Sequence, residues 1–254
     1  MREILLDVIQ SGTLVESRIG STIELSNINA SWSAGTYYTR PKMNEWIGWT
    51  ELLQLISGTF SHKTYQLLAP NAQLELFTPN MAYGPRIFDQ WGDVVRELRV
   101  NRDSRRAVIY VGHHDELIYT RPCTVSIQFM IRNNVLDTYV TMRSWDIYKG
   151  LPYDVMMFSG IAAITAQLVD AKPGIVSVNA ASAHVYQLDL DAIDFTEDKW
   201  KTWQMTFTYP MPDTNVKDIR EWSEDIELQI CKLSSPKKRK EVMSTNGIIL
   251  AVKD

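Results

Sequence analysis

Cys123 stands in the run Arg121-Pro122-Cys123-Thr124, where an apolar, strand-like stretch begins. A thiol in such a place serves either as a small buried hydrophobe or as a nucleophile. Arg121 is close in sequence, and positive charge favours the reactive thiolate. Pro122 fixes the backbone just ahead and so helps to aim the side chain. Several arginines stand beside hydroxyls or turns. Arg105 and Arg106 follow Asp103-Ser104, Arg143 precedes Ser144 at a strand end, and Arg18 neighbours a Gly20-Ser21-Thr22 turn. Guanidinium forks, hydroxyls and turn amides together are the groups that bind a phosphate dianion. Surface salt bridging is the competing role for any one of them. His184 and Tyr186 are two apart in a strand-like run, so they share a face and could contact a sugar hydroxyl or serve packing alone. His113-His114 has no metal-ligand spacing and reads as loop, and no metal site is expected.

The elements that must position these groups follow from periodicity. Ile23 and Leu25 mark a strand after the turn at Gly20. Asn44 caps a helix with Trp46, Trp49, Leu52, Leu53 and Ile56 on its apolar positions and Gly58 as its stop. A second amphipathic helix carries Ile87, Phe88, Trp91, Val94, Val95 and Leu98. Strands are predicted at 107–111, 124–131, 135–142, 175–178, 183–188 and 203–209, with a hairpin turn at Asn133-Asn134. Pro152 opens an apolar helix whose core runs over 155–168. That stretch is too short for a bilayer and carries Ser159, Thr165 and Gln167, so it reads as a buried core helix. The pattern is α+β, with helices packed on a mainly antiparallel or mixed β-sheet, in one domain over 1–254.

Composition narrows the function. A net charge of -4 gives no reason to expect a nucleic-acid or membrane partner. Two distant cysteines without metal spacing point to a reducing, cytoplasmic setting rather than a disulfide scaffold. Residues 1–12 form a short mixed segment without the apolar stretch of a signal peptide. The basic run 237–240 is expected to be an exposed loop.

Taken in order, these segments resemble the thymidylate synthase family. Ser17-Arg18-Ile19-Gly20 is similar to its N-terminal phosphate loop, Glu51-Leu52-Leu53 to the helix of its catalytic glutamate, and Tyr83-Gly84 to its Tyr-Gly loop. Asn101-Arg102-Asp103-Ser104-Arg105-Arg106 resembles the phosphate-binding segment and Pro122-Cys123 the catalytic cysteine motif. The segment from Arg143-Ser144-Trp145-Asp146 through Gly150-Leu151-Pro152-Tyr153-Asp154 resembles the family's Arg-Ser-x-Asp-x-x-x-Gly-x-Pro-Phe-Asn pattern, and His184-Val185-Tyr186 its sugar contact. The resemblance implies a homodimer with shared active sites. In it Arg105 and Arg106 reach the partner's phosphate site, which Arg18, Arg143 and Ser144 complete. It implies 5,10-methylenetetrahydrofolate as co-substrate, contacted by Asp146 and Gly150. It also implies a catalytic set of Cys123, Glu51, Tyr83 and Asp154 acting on a pyrimidine nucleoside monophosphate.

One departure is informative. The family carries asparagine where this chain has Asp154. An amide matches the donor and acceptor of uracil, whereas an ionised carboxylate only accepts and suits the exocyclic amino group of cytosine. Asp154 would also sit well at a helix N-terminus for reasons of charge alone. The aspartate, the Cys-Thr pair and Met-Arg-Ser resemble phage deoxycytidylate hydroxymethylases, which implies hydroxymethylation of dCMP, in a host cytoplasm if the chain is phage-encoded. Residues 74–80 hold no tryptophan, which would admit water to the site. The apolar residues 247–252 are similar to the tail that closes a synthase site, which keeps a dCMP methyltransferase open. Thymidylate synthase action on dUMP and a pyrimidine nucleotide N-glycosidase are the further alternatives.

Overall fold

A computed structural model describes residues 1–68, 82–112, 116–208 and 214–252. Its largest element is a seven-stranded mixed sheet of β1 (Thr13–Glu16), β2 (Ser21–Ser33), β4 (Val108–Tyr110), β5 (Thr124–Arg132), β6 (Val135–Met142), β7 (Trp145–Asp146) and β8 (Lys172–Tyr186). The order is β1-β2-β8-β6-β5-β4, with β7 paired beside β8. β6 and β7 run parallel to β8 and the other pairs are antiparallel. A second sheet joins β3 (Thr36–Thr39), β9 (Lys201–Phe207) and β10 (Ile248–Val252) in the order β10-β9-β3.

The helix over Leu151–Leu168, α5, is the centre of the core. Nearly all its faces are buried, so its apolar residues carry no amphipathic stripe. Two of its polar groups are matched from other elements. Trp32 donates its indole N–H to Ser159 Oγ at 2.7 Å, and Trp91 donates to Thr165 Oγ1 at 2.9 Å. α2 (Glu45–Ser57) packs on α5. At Gly160 a Cβ would stand 2.4 Å from Leu52 Cδ1, so the close approach of these helices requires glycine there. α2 begins and ends as its sequence predicts. Asn44 accepts from Trp46 N at 3.1 Å, and Gly58 takes the left-handed conformation at φ 72°. α4 (Tyr83–Val100) packs on the other flank of α2. Asn133 and Asn134, at φ 51° and 61°, make the hairpin between β5 and β6.

Several expectations need correction. The two strands predicted at 175–178 and 183–188 are one strand, β8, which ends at Tyr186. The polar residues that look like a break are paired across to β2, where Asn179 donates to Asn29 Oδ1 at 2.9 Å and Ser182 to Glu24 Oε2 at 2.8 Å. The N-terminal segment is a helix, α1 (Arg2–Ser11), anchored by buried Leu5 and Val8. The basic run lies on a helix, α7 (Pro236–Thr245), rather than in a loop. There Arg239 is buried and donates to Leu233 O at 2.7 Å, and Lys240 pairs with Glu45 at 2.8 Å. Also unread in the sequence are a short helix, α3 (His62–Leu68), and α6 (Val216–Cys231), although Asn215 and Asp218 form a capping box at the start of α6. The apolar segment near the C-terminus pairs with β9 as β10, and none of its described side chains lines the cavity described below. Residues 74–80, Tyr209 and His113-His114 lie outside the described residues.

Candidate active site

A cavity of about 600 Å³ opens where α2, α4, α5, β7 and the C-terminal end of β8 converge. That volume suits a small-molecule site. Its lining includes Cys123, Glu51, Tyr83, Asp154, Ser144, Tyr186, Asp146 and Gly150. Each element brings one group. α2 turns Glu51 inward, α4 supplies Tyr83 from its first residue, and the first turn of α5 supplies Asp154. Cys123 precedes β5 directly, and its carbonyl accepts from Arg143 N at 2.9 Å.

The electrostatics of this cavity are those of buried acids. Burial, reinforced by the charge of Asp154, pushes Glu51 up to about 8. Its Oε2 is buried and has no hydrogen-bond partner among the described residues, an expensive state for an ionised carboxylate and a tolerable one for an acid awaiting a ligand. Burial also lifts Asp154 to about 7, against the lowering effect of the Trp145 indole, which donates to Asp154 Oδ2 at 3.0 Å. Burial raises Asp146, whose Oδ1 accepts the backbone N–H groups of Tyr148 at 3.0 Å and Lys149 at 2.8 Å. Tyr83 is pushed up by burial and then by Asp154 and Cys123, and its hydroxyl accepts from Thr124 N at 3.2 Å.

The thiol of Cys123 is raised as well. Burial outweighs the favourable charge of Arg143, and Asp154 and Asp146 add to the rise. The cation that acts on the thiol is therefore Arg143 rather than the sequence neighbour Arg121. Arg143 is itself exposed, and it braces the cysteine loop by donating to Pro122 O at 3.0 Å and Arg121 O at 2.8 Å.

His184 and Tyr186 do share a face, their rings 5.3 Å apart at 88°, but only Tyr186 lines the cavity. Burial lowers His184, opposed by Asp146. The remaining arginines are not gathered there. Arg18 is exposed on the turn between β1 and β2, where its charge acts on Tyr186 while its neighbour Ile19 lines the cavity. Arg105 and Arg106 are exposed on a separate recess after α4, and Arg106 pairs with Glu97 at 3.0 Å. Among the described residues no cluster of His, Cys, Asp and Glu could hold a metal, and no helix is long and apolar enough to cross a membrane.

The ordered motifs, several of which meet at the cavity, agree with a family comparison. The family model described as thymidylate synthase matches residues 36–238, most of the chain. The chain belongs to the thymidylate synthase family. Arg18 lies ahead of the matched residues. Among curated members of the family, a thymidylate synthase from Mycoplasma mobile is 24% identical over 205 residues, covering 78% of this chain and 67% of that protein. One from Baumannia cicadellinicola is 31% identical over 108 residues, covering 42% of this chain and 41% of the relative. A putative bifunctional dihydrofolate reductase-thymidylate synthase from Oryza sativa is 29% identical over 109 residues, covering 42% of this chain and 22% of that protein. The chain thus spans less than half of the length of these last two relatives.

Within this family site, the lining residues to which the sequence assigns no role include Gln54, Trp145, Lys149 and Tyr153. Gln54 is one helical turn from Glu51, a spacing that puts both on one face. The other three fall inside the segment that runs from Arg143 to Asp154, which was legible as a motif but not as a set of contacts. Lys149 pairs with Asp189 at 2.8 Å at the cavity rim.

Proposed function

We propose that this protein transfers a one-carbon unit to the 5-carbon of a cytidine monophosphate nucleotide, as a dCMP 5-hydroxymethylase. The observation that carries the reading is Asp154, half-buried on the cavity wall that also holds Cys123 and Glu51. An acceptor there meets the exocyclic amino group of cytosine, whereas the carbonyl of uracil would face it acceptor to acceptor. Methylenetetrahydrofolate enters as a co-substrate and supplies the carbon.

Chemically, the pyrimidine 5-carbon is a poor nucleophile until a thiolate adds to the 6-carbon. Cys123 forms that bond. The thiol is neutral at rest, because burial outweighs Arg143. Substrate binding and a proton acceptor must therefore precede attack. The activated 5-carbon takes the one-carbon unit, loses its proton, and expels tetrahydrofolate to leave an exocyclic methylene. Water adds to the methylene, and Cys123 departs as the ring regains its double bond. Glu51, protonated at neutral pH by virtue of its raised pKa of about 8, is suited to deliver and organise protons near the ring. Tyr186 and His184 serve the sugar, and Asp146 and Gly150 the folate.

Phosphate binding draws on Arg18, Arg143 and Ser144, with Arg105 and Arg106 supplied by a second copy in a homodimer. The uncovered face of the large sheet supports that assembly. Asn29, Ser31, Tyr139 and Asn179 are exposed there and Ser177 partly so, with Asn179 joined to Asn29 and Ser177 to Ser31 across the strands. Both cysteines are free thiols, in keeping with a reducing cytoplasm.

Incubation with dCMP, or separately with dUMP, plus methylenetetrahydrofolate tests the proposal, with nucleotide mass and dihydrofolate absorbance followed together. A hydroxymethyl product from dCMP without dihydrofolate is expected. A methyl product with dihydrofolate would replace the last step. Turnover of dUMP alone would make the activity the one for which the curated relatives are named.

A further inference from the structure

Trp145 is 1% exposed and sits in β7, which is fixed to β8 by the pairs Trp145 with Ala183 and Asp146 with His184. Its indole N–H donates to Asp154 Oδ2 at 3.0 Å. The ring lies tilted against Trp32, centroids 6.5 Å apart. Trp32 in turn donates to Ser159 Oγ at 2.7 Å. Ser159 and Asp154 are both on α5. The two indoles therefore tie β2 and β7 to the helix that carries Asp154, and the donor direction of Trp145 is set from both sides.

An indole N–H only donates, so residue 154 must turn a lone pair toward it. We propose that Trp145 is a positioning residue that sets which atom of residue 154 faces the base, and so sets base specificity. With aspartate, Oδ2 is held by Trp145, and Oδ1, which accepts no hydrogen bond among the described residues, is the acceptor offered to the cavity. With asparagine the same rule turns the carbonyl oxygen to Trp145 and leaves the amide N–H₂, a donor, facing the ligand. One fixed indole thus converts a single-atom change at position 154 into a full reversal of polarity. The inference rests on the cytidylate reading for its ligand, but the indole contact can be tested without any nucleotide.

The decisive experiment compares wild type, Trp145→Phe, Asp154→Asn and the double variant. Calorimetric titration gives the affinity of each for dCMP and for dUMP. Trp145→Phe should lower the preference for dCMP over dUMP about tenfold, because one orienting hydrogen bond to a half-buried carboxylate is lost. Asp154→Asn should prefer dUMP, and adding Trp145→Phe should lower that preference about tenfold. The effect of losing the indole N–H therefore changes sign with the residue at 154. A purely structural role would weaken both nucleotides alike, and an unchanged preference in both backgrounds would overturn the proposal.

Should Trp145→Phe fail to fold, wild-type indole ¹⁵N–¹H spectra supply the second test. One of the eight tryptophan signals should follow a carboxyl titration that vanishes in Asp154→Asn. The comparison is needed because Glu51 on α2, Tyr83 on α4, Cys123 before β5 and Asp146 on β7 all share the cavity with Asp154. Absence of such a signal would overturn the positioning role. A titrating indole in a protein that ignores dCMP would instead sink the cytidylate reading while leaving the positioning role intact.

Discussion

The cavity and the arginine-bearing surface treat charge in opposite ways. In the cavity Glu51, Asp146, Asp154, Tyr83 and Cys123 are all shifted toward their neutral forms, and burial is the leading cause for each. On the surface Arg18, Arg105, Arg106 and Arg143 keep their guanidinium groups in water. One chain therefore gathers acids and a thiol in a water-poor cavity and leaves these arginines dispersed outside it. Burial tunes proton chemistry within a single core, whereas a phosphate dianion needs several cations brought together, which this chain alone does not do.

The largest expected effect comes from disarming the cavity. Cys123→Ser should lower kcat by about 10⁴-fold or more, with nucleotide binding retained, as seen by single-turnover assay beside calorimetry. Near-normal turnover would remove the thiol from the mechanism and dissolve the contrast at its centre.

Next comes the division between cavity and surface. Cys123→Ser and Arg106→Ala, each inactive or weak alone, should recover about a quarter of wild-type activity when refolded together, because half of the dimers then hold one intact site. Failure to recover, with mixed dimers detected, would mean that the arginine serves its own chain.

The acid shifts in the cavity give a smaller effect with a defined sign. The pKa of Glu51 in the folded protein, about 8, lies above its value in the unfolded chain. Stability from the extra proton is full at acid pH and is lost as pH rises through 8. Glu51→Gln should thus match wild type in melting experiments near pH 4 and exceed it by roughly 5 kcal/mol at pH 9. Parallel curves at both pH values would place Glu51 in a wetter setting than the cavity provides.

The smallest effect belongs to the surface. Arg106 meets Glu97 in an exposed pair, so Arg106→Ala should move the melting temperature of the chain by only about 1 °C. A large drop would make the pair structural and weaken its assignment to phosphate.

The parts of the fold that could be read directly were those whose signals are local. Asn44 and Gly58 bracket α2 because capping and left-handed backbone are properties of a few adjacent residues. The Asn133-Asn134 turn is legible for the same reason. β8 looks like two strands in the sequence because Asn179 and Ser182 resemble a break until β2 lies alongside with Asn29 and Glu24. The basic run looks like a loop in the sequence because the packing of Arg239 against Leu233 and Trp46 is a tertiary contact.

The sequence by itself determined the chemistry on offer: the thiol, the carboxylates, the arginines and their order along the chain, since residue type and spacing within a motif are local facts. Only the tertiary structure decided their states. Neighbours far apart in sequence chose Arg143 over Arg121 as the cation for Cys123, left Glu51 Oε2 unpartnered among the described residues, and set the Trp145 indole on one oxygen of Asp154. Desolvation and hydrogen-bond direction depend on what the folded chain places around a group, and no stretch of sequence contains that information alone.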